Sequence, residues 1–159
     1  MKQIKGDLIA LAKEGYFDVI VHGCNCFCTM GSGIAKGIKD SFPEAYEEDC
    51  KTENGAQDKL GTTSFVYTNG VIVVNGYTQY HWSKIGPDGI KNRHNSKDPL
   101  VDYDALRLVF REVKDLFTGS KIGYPMIGAG LARGDWGIIS TIIDEELEGE
   151  DHTLVIYKP

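Results

Sequence analysis

The sequence predicts an α/β fold, a three-layer α/β/α sandwich around a mixed central sheet. Three observations carry this expectation. Short apolar runs alternate with helix-period segments along the 159 residues, the order of strands and crossover helices. Asn69-Gly70 between two apolar runs marks a hairpin, so one strand pair is antiparallel. Two runs lead into glycine loops, Gly31-Ser32-Gly33 and Gly128-Ala129-Gly130, and open α/β sheets bind ligands at strand carboxyl ends.

Taken in order, Ile4–Ile9 reads as an opening strand or turn around Gly6-Asp7, and Val19–His22 as a buried strand. Ile34–Asp40 starts a helix that stops near Phe42-Pro43, where proline disfavours a helical residue before it. Glu44–Cys50 is a second short helical piece. Thr62–Thr68 and Val71–Tyr77 are the two arms of the hairpin. Residues 83–99 are rich in Lys, Gly, Pro, Asn and Asp, and read as a lid or mobile segment. Tyr103–Phe117 carries Leu106, Val109, Phe110, Val113, Leu116 and Phe117 three and four apart, which predicts an amphipathic helix. Lys121–Ile127 is a strand entering the second loop, Asp135-Trp136 opens a helix to about Glu146, and Thr153–Tyr157 closes the sheet. The whole chain, 1–159, reads as one domain.

The composition is that of a globular protein, 42% hydrophobic and 25% charged, with a formal net charge of −6. No basic run gives a nucleic-acid footprint, and no apolar stretch reaches membrane-spanning length. A cytoplasmic, monomeric protein with reduced cysteines is the expectation. His22, Cys24, Cys26 and Cys28 alternate, and an extended segment would put all four on one face. A second ligand pair at zinc spacing is missing, so the thiols are assigned to packing and no metal or cofactor is expected.

The two loops carry the chemistry. A strand that feeds a glycine loop and then a helix start presents main-chain N–H groups without intrahelical partners, together with the positive end of the helix dipole. Gly31 and Gly33 let a phosphate approach with no Cβ in its path. Two such cradles in one small domain point to a diphosphate ligand, held by backbone dipoles because the chain is acidic.

Four segments taken together resemble the macro domain family of ADP-ribose-binding modules. They are Gly6-Asp7-Leu8, VIVHGCNCFCTMGSGIA, YPMIGAGLARGDW and the closing LVIYKP. The resemblance implies a macro domain fold with ADP-ribose or ADP-ribose 1″-phosphate as its small-molecule partner. It implies that Asp7, with Leu8 beside it, meets the adenine, and that Asn25 meets the distal ribose. Gly31, Ser32, Gly33 and Ile34 would hold one phosphate, and Ile127, Gly128, Ala129, Gly130 and Leu131 the other. Tyr157 would lie beside the adenine. The competing readings are a turn or helix cap for Asp7, a self-satisfying turn for Asn25 and simple tight turns for the glycines.

Macro domains bind ADP-ribose, release it from macromolecules, or remove the phosphate of ADP-ribose 1″-phosphate. Members that release it use a lysine after the central strand, and some an aspartate in the second loop. Gln79 and Ala132 stand at about those places, and neither supplies that chemistry. The sequence His22-Gly23-Cys24-Asn25-Cys26 resembles the phosphatase subgroup. That likeness makes His22 and Asn25 the catalytic candidates, with the histidine titrating near neutrality. The competing reading of His22 is a packed, hydrogen-bonded core group. Tyr80, His81 and Trp82 either stack on the ligand or form an apolar clasp; of Asp102 and Asp104 one reads as the cap of the amphipathic helix, with a catalytic carboxylate as the competing reading, and Asp135 reads as a helix cap. An ADP-ribosyl hydrolase using other residues and a non-catalytic ADP-ribose reader remain the alternatives.

Overall fold

A computed structural model describes residues 1–82 and 99–159. The segment read as a lid lies almost wholly outside the described residues. Strands β1 (Lys2–Gly6), β2 (Val19–Cys24), β3 (Thr63–Thr68), β4 (Val71–Tyr77), β5 (Lys121–Tyr124) and β6 (Asp151–Tyr157) form one sheet in the order β1-β6-β5-β2-β4-β3. Every neighbouring pair is parallel except β3–β4, the hairpin. Its turn residues Asn69 and Gly70 have φ of 52° and 79°, as a two-residue hairpin loop requires.

The helices are α1 (Leu8–Lys13), α2 (Gly33–Ser41), α3 (Pro43–Cys50), α4 (Tyr103–Phe117) and α5 (Trp136–Glu146). Strand alternation sends side chains to two cores. Ile20, Val71, Val73 and Val155 pack with Leu8 and Ala12 of α1, Ile38 of α2 and Ala45 of α3. Val19, Val21, Val74, Ile122 and Leu154 pack on the other face with Leu106, Val109, Phe110 and Val113 of α4 and Ile139 and Ile143 of α5. Parallel strands covered on both faces read as continuous apolar runs, as Val19-Ile20-Val21 does. A third cluster, Cys24, Cys26, Met30 and Tyr77, lies at the carboxyl ends of β2 and β4.

Three expectations are corrected. Leu8–Lys13 is a helix, with Asp7 Oδ1 accepting from the Ala10 amide at 3.1 Å, rather than a strand or turn running to Ile9. Strand β5 stops at Tyr124, because Pro125 has no N–H to continue a ladder. The cysteines do not share one extended face. The strand ends at Cys24, and Cys28 takes a left-handed φ of 57°.

All five parallel strands point their carboxyl ends to one edge of the sheet, so the segments after them meet there. The sheet is closely covered by the segment between α1 and β2. A Cβ on Gly123 of β5 would lie 2.7 Å from the buried Phe17 ring. Gly123→Ala is therefore expected to destabilise the fold by about 1–3 kcal/mol, read as a lower urea midpoint at unchanged m-value.

Candidate functional site

A cleft of about 510 Å³ opens at that edge, over the ends of β2, β4 and β5, within the range of small-molecule sites. One wall is the first glycine loop, with Asn25, Thr29, Met30, Gly31, Ser32, Gly33 and Ile34. The opposite wall is Pro125, Met126, Ile127, Gly128, Gly130, Leu131 and Ala132. Gly23, Cys24, Ala35, Asp49, Thr78, Gln79 and Trp82 complete the lining. Among the described residues that line it there is no Lys, Arg or His.

The anion-binding character lies in the backbone. Helix α2 begins at Gly33 behind Ser32, whose side chain makes no capping bond. Asp7, Asp102 and Asp135, by contrast, cap α1, α4 and α5 with their carboxylates. The first-turn amides of α2 are thus left open toward the cleft, at the positive end of its dipole. Gly33 has φ 60° and Gly128 φ 76°, and a Cβ on Gly128 would also meet Val101 at 2.8 Å. Both turns therefore need glycine. The second loop is pinned by Arg133 N–H donating to Gly130 C=O at 3.0 Å and by Gly134 N–H donating to Gly128 C=O at 2.6 Å.

The predicted residues divide into three groups. Asn25, Gly31, Ser32, Gly33, Ile34, Ile127, Gly128, Gly130 and Leu131 come together around the cleft. Asn25 also builds its own loop: Oδ1 accepts from the Phe27 amide at 2.8 Å and Nδ2 donates to Thr29 Oγ1 at 2.7 Å. A primary amide keeps a second N–H for a ligand. Asp7, Leu8 and Tyr157 lie together at the neighbouring strand ends, where Gly6 pairs with Tyr157. They stand outside the cleft lining, as does Ala129. Leu8 is buried in the core, and Tyr157 is 72% exposed.

His22 is in the core. It is 1% exposed and is not among the lining residues. Its Nε2 lies 2.7 Å from Asn75 Oδ1, on the α1–α3 side of the sheet. Burial lowers its pKa to about 4, against which the Asn75 bond pulls upward. A buried imidazole whose Nε2 is already bonded and which does not line the cleft fits the packed reading of His22.

Sequence reasoning missed Asp49. It is the titratable carboxylate among the lining residues, carried by the last turn of α3 and 1% exposed. Burial raises its pKa, opposed by the hydrogen bond from Tyr77 and by nearby Lys59. Tyr77 Oη donates to Asp49 Oδ1 at 2.8 Å, and Ser64 Oγ lies 2.8 Å from the same hydroxyl. Asn75 Nδ2 reaches that serine at 3.0 Å. A continuous polar chain thus runs from His22 through Asn75, Ser64 and Tyr77 to Asp49 at the cleft. Nothing local in the sequence marks Asp49, because only the fold brings it there. Lys59, 7% exposed, donates to Cys26 C=O at 3.0 Å and ties the first loop down from below.

Gln79 lines the cleft with its Nε2 donating to His81 C=O at 2.9 Å, and Ala132 lies in the second wall. Trp82 is 46% exposed and stacks on His81 at 3.8 Å between ring centroids. Burial lifts the Cys24 and Cys26 thiols, the latter to about 11, so they stay protonated at neutral pH, the reverse of a metal-binding or nucleophilic thiol.

An open, mostly parallel sheet with two facing glycine turns at its strand ends defines a small-molecule-binding α/β module. The family model of the Macro domain matches residues 21–143, and the chain belongs to that family. It is 34% identical over 168 residues to an uncharacterized 17.5 kDa protein of the tk-vs intergenic region of Enterobacteria phage T4, covering 100% of this chain and 97% of that one. It is 28% identical to a DNA ADP-ribosyl glycohydrolase of Thermus aquaticus, over all of this chain but 41% of that protein. With an ADP-ribose 1″-phosphate phosphatase of Debaryomyces hansenii the identity is 27%, over 91% and 93% of the two chains. A solved structure of a protein of unknown function from Bacteroides thetaiotaomicron superposes with a TM-score of 0.70 at 28% identity, covering 98% and 96%.

The His22 geometry has a pH consequence. The folded-state pKa of about 4 lies below the ordinary 6.5, so between those values the unfolded chain binds the extra proton and stability falls as the pH drops. In an NMR titration the His22 ring is expected to stay neutral at pH 5.5. Protonation near pH 6.5 would contradict its burial.

Proposed function

We propose that this chain binds ADP-ribose and hydrolyses the phosphate of ADP-ribose 1″-phosphate. The observation that carries the proposal is the cleft itself: an uncapped helix start faces a second glycine turn, with no cationic side chain among the described residues of the lining. Such a site takes the two phosphates of a dinucleotide-like ligand through main-chain amides. Asp7 and Tyr157, side by side at the next strand ends, extend the site toward the base, and Asn25 contacts the distal ribose.

In the reaction, water attacks phosphorus, the bond from phosphorus to the 1″ oxygen breaks, and that oxygen takes up a proton. Inorganic phosphate and ADP-ribose result. Loop amides stabilise the charge on the phosphoryl oxygens. The leaving oxygen belongs to an anomeric hydroxyl, which departs more readily than an ordinary alcohol. Asp49 is the group in the lining able to take the proton of the attacking water, and its raised pKa suits that task. His22 then supports the step from below, by anchoring the polar chain that ends on Asp49.

The likeness to the Thermus aquaticus glycohydrolase favours a second reading, release of ADP-ribose from a macromolecule. Gln79 and Ala132 weigh against its lysine-dependent form. The two readings separate by product: inorganic phosphate from ADP-ribose 1″-phosphate, or ADP-ribose from modified protein or DNA. Binding of ADP-ribose with neither product points to a reader.

Asp49→Asn keeps an acceptor for Tyr77 and is expected to lower phosphate release about a hundredfold or more, with ADP-ribose affinity nearly unchanged. Gly33→Glu sets a carboxylate against the diphosphate and is expected to weaken ADP-ribose binding about a hundredfold or more by calorimetry. Unaltered affinity in that variant removes the first loop from the site.

A further inference from the structure

Thr78 has no role in the reading above, yet its surroundings are unusual. It follows the last residue of β4, lines the cleft and is 1% exposed. Its Oγ1 is buried with no hydrogen-bond partner among the described residues. A buried hydroxyl without a partner is unfavourable, and native structures retain few of them. The main chain around it is bonded: Thr78 N–H donates to Gly76 C=O at 3.0 Å, and Thr78 C=O accepts from the Asp102 amide at 2.8 Å. The side chain is therefore held at the cleft floor by a backbone that has no need of its hydroxyl.

The opposing strand makes room for it. A Cβ on Gly23 would lie 2.8 Å from Thr78 Oγ1 and 3.3 Å from the Ile127 side chain. Gly23 does not need a special backbone angle, since it is absent from the positive-φ glycines. Space for the threonine between β2 and the second loop is thus what a larger residue would remove. Gly23 is two residues before Asn25, so the hydroxyl sits at the Asn25 end of the cleft floor.

We propose that the Thr78 hydroxyl is a ligand-binding group, which rotates about χ1 to hydrogen-bond an oxygen of the distal ribose or of its 1″ substituent. This rests on the reading of the cleft as an ADP-ribose site. The hydroxyl both donates and accepts, so it serves a sugar hydroxyl or a phosphoryl oxygen. In the free protein it has no partner among the described residues. The ligand supplies the missing partner.

The test is Thr78→Val, which keeps shape and removes the hydroxyl, read by calorimetry with ADP-ribose and by thermal unfolding without it. The expected result is affinity about tenfold lower with Tm equal to wild type or higher, because an unpartnered hydroxyl is replaced by a methyl. Thr78→Ser is expected to retain most of the affinity. Two results overturn the inference while leaving the proposed function standing: wild-type affinity in Thr78→Val, or a lowered Tm, which would mean that the hydroxyl is bonded within the fold. Wild-type protein that binds no ADP-ribose overturns the reading of the cleft and this inference with it.

Discussion

The arrangement of this molecule depends on where the strands end. Five parallel strands deliver their carboxyl ends to one edge, and whatever follows them must meet there. After β2 comes a loop closed by Asn25 on its own backbone, which turns the chain into the uncapped start of α2. After β5 comes proline and then the Gly128 turn, which Gly134 locks by donating back to it. Main-chain amides are strong donors that cannot be left buried without partners. Facing two sets of them across a cleft offers donors to an anion without a cationic side chain among the described lining residues.

Beneath that surface the support is also polar. The chain from His22 through Asn75, Ser64 and Tyr77 to Asp49 joins β2, β3, β4 and α3. Asn75 is fully buried and also donates to Ala45 C=O at 2.9 Å, so both ends of its amide are bonded. Such a network specifies one arrangement of strands and helix, because slipping any member leaves a buried group without a partner. It accounts for a histidine and an asparagine side by side on the neighbouring buried strands β2 and β4, where apolar residues would be the ordinary choice.

Most of the architecture was legible in the residues. Helix α4 was readable because six apolar positions repeat at helical spacing behind Asp102 and Asp104; of these two candidate caps it is Asp102 that serves, its Oδ1 accepting from the Ala105 amide at 2.9 Å. The hairpin was readable from Asn69-Gly70. Helix α1 was not, since six residues are too few to display a period and its capping aspartate reads equally as a turn. The two glycine loops were legible, and so was Asn25 at the cleft. The functional weight placed on His22 came from a resemblance in local sequence, whereas the side a strand residue faces is decided by its partners. Asp49 and Thr78 carried no signal because each reaches the cleft only through tertiary packing, one at the end of α3 and one at the end of β4.

A receptor built from amides in an acidic chain differs from one built from arginines in how it meets its ligand. The formal charge of −6 opposes the approach of a diphosphate from afar, and the attraction of the helix start is felt only within the last few ångströms. Added salt screens the distant repulsion while scarcely touching the short contacts inside the cleft. Capture by a receptor of that kind would quicken as ionic strength rises, the opposite of the behaviour of basic phosphate-binding proteins.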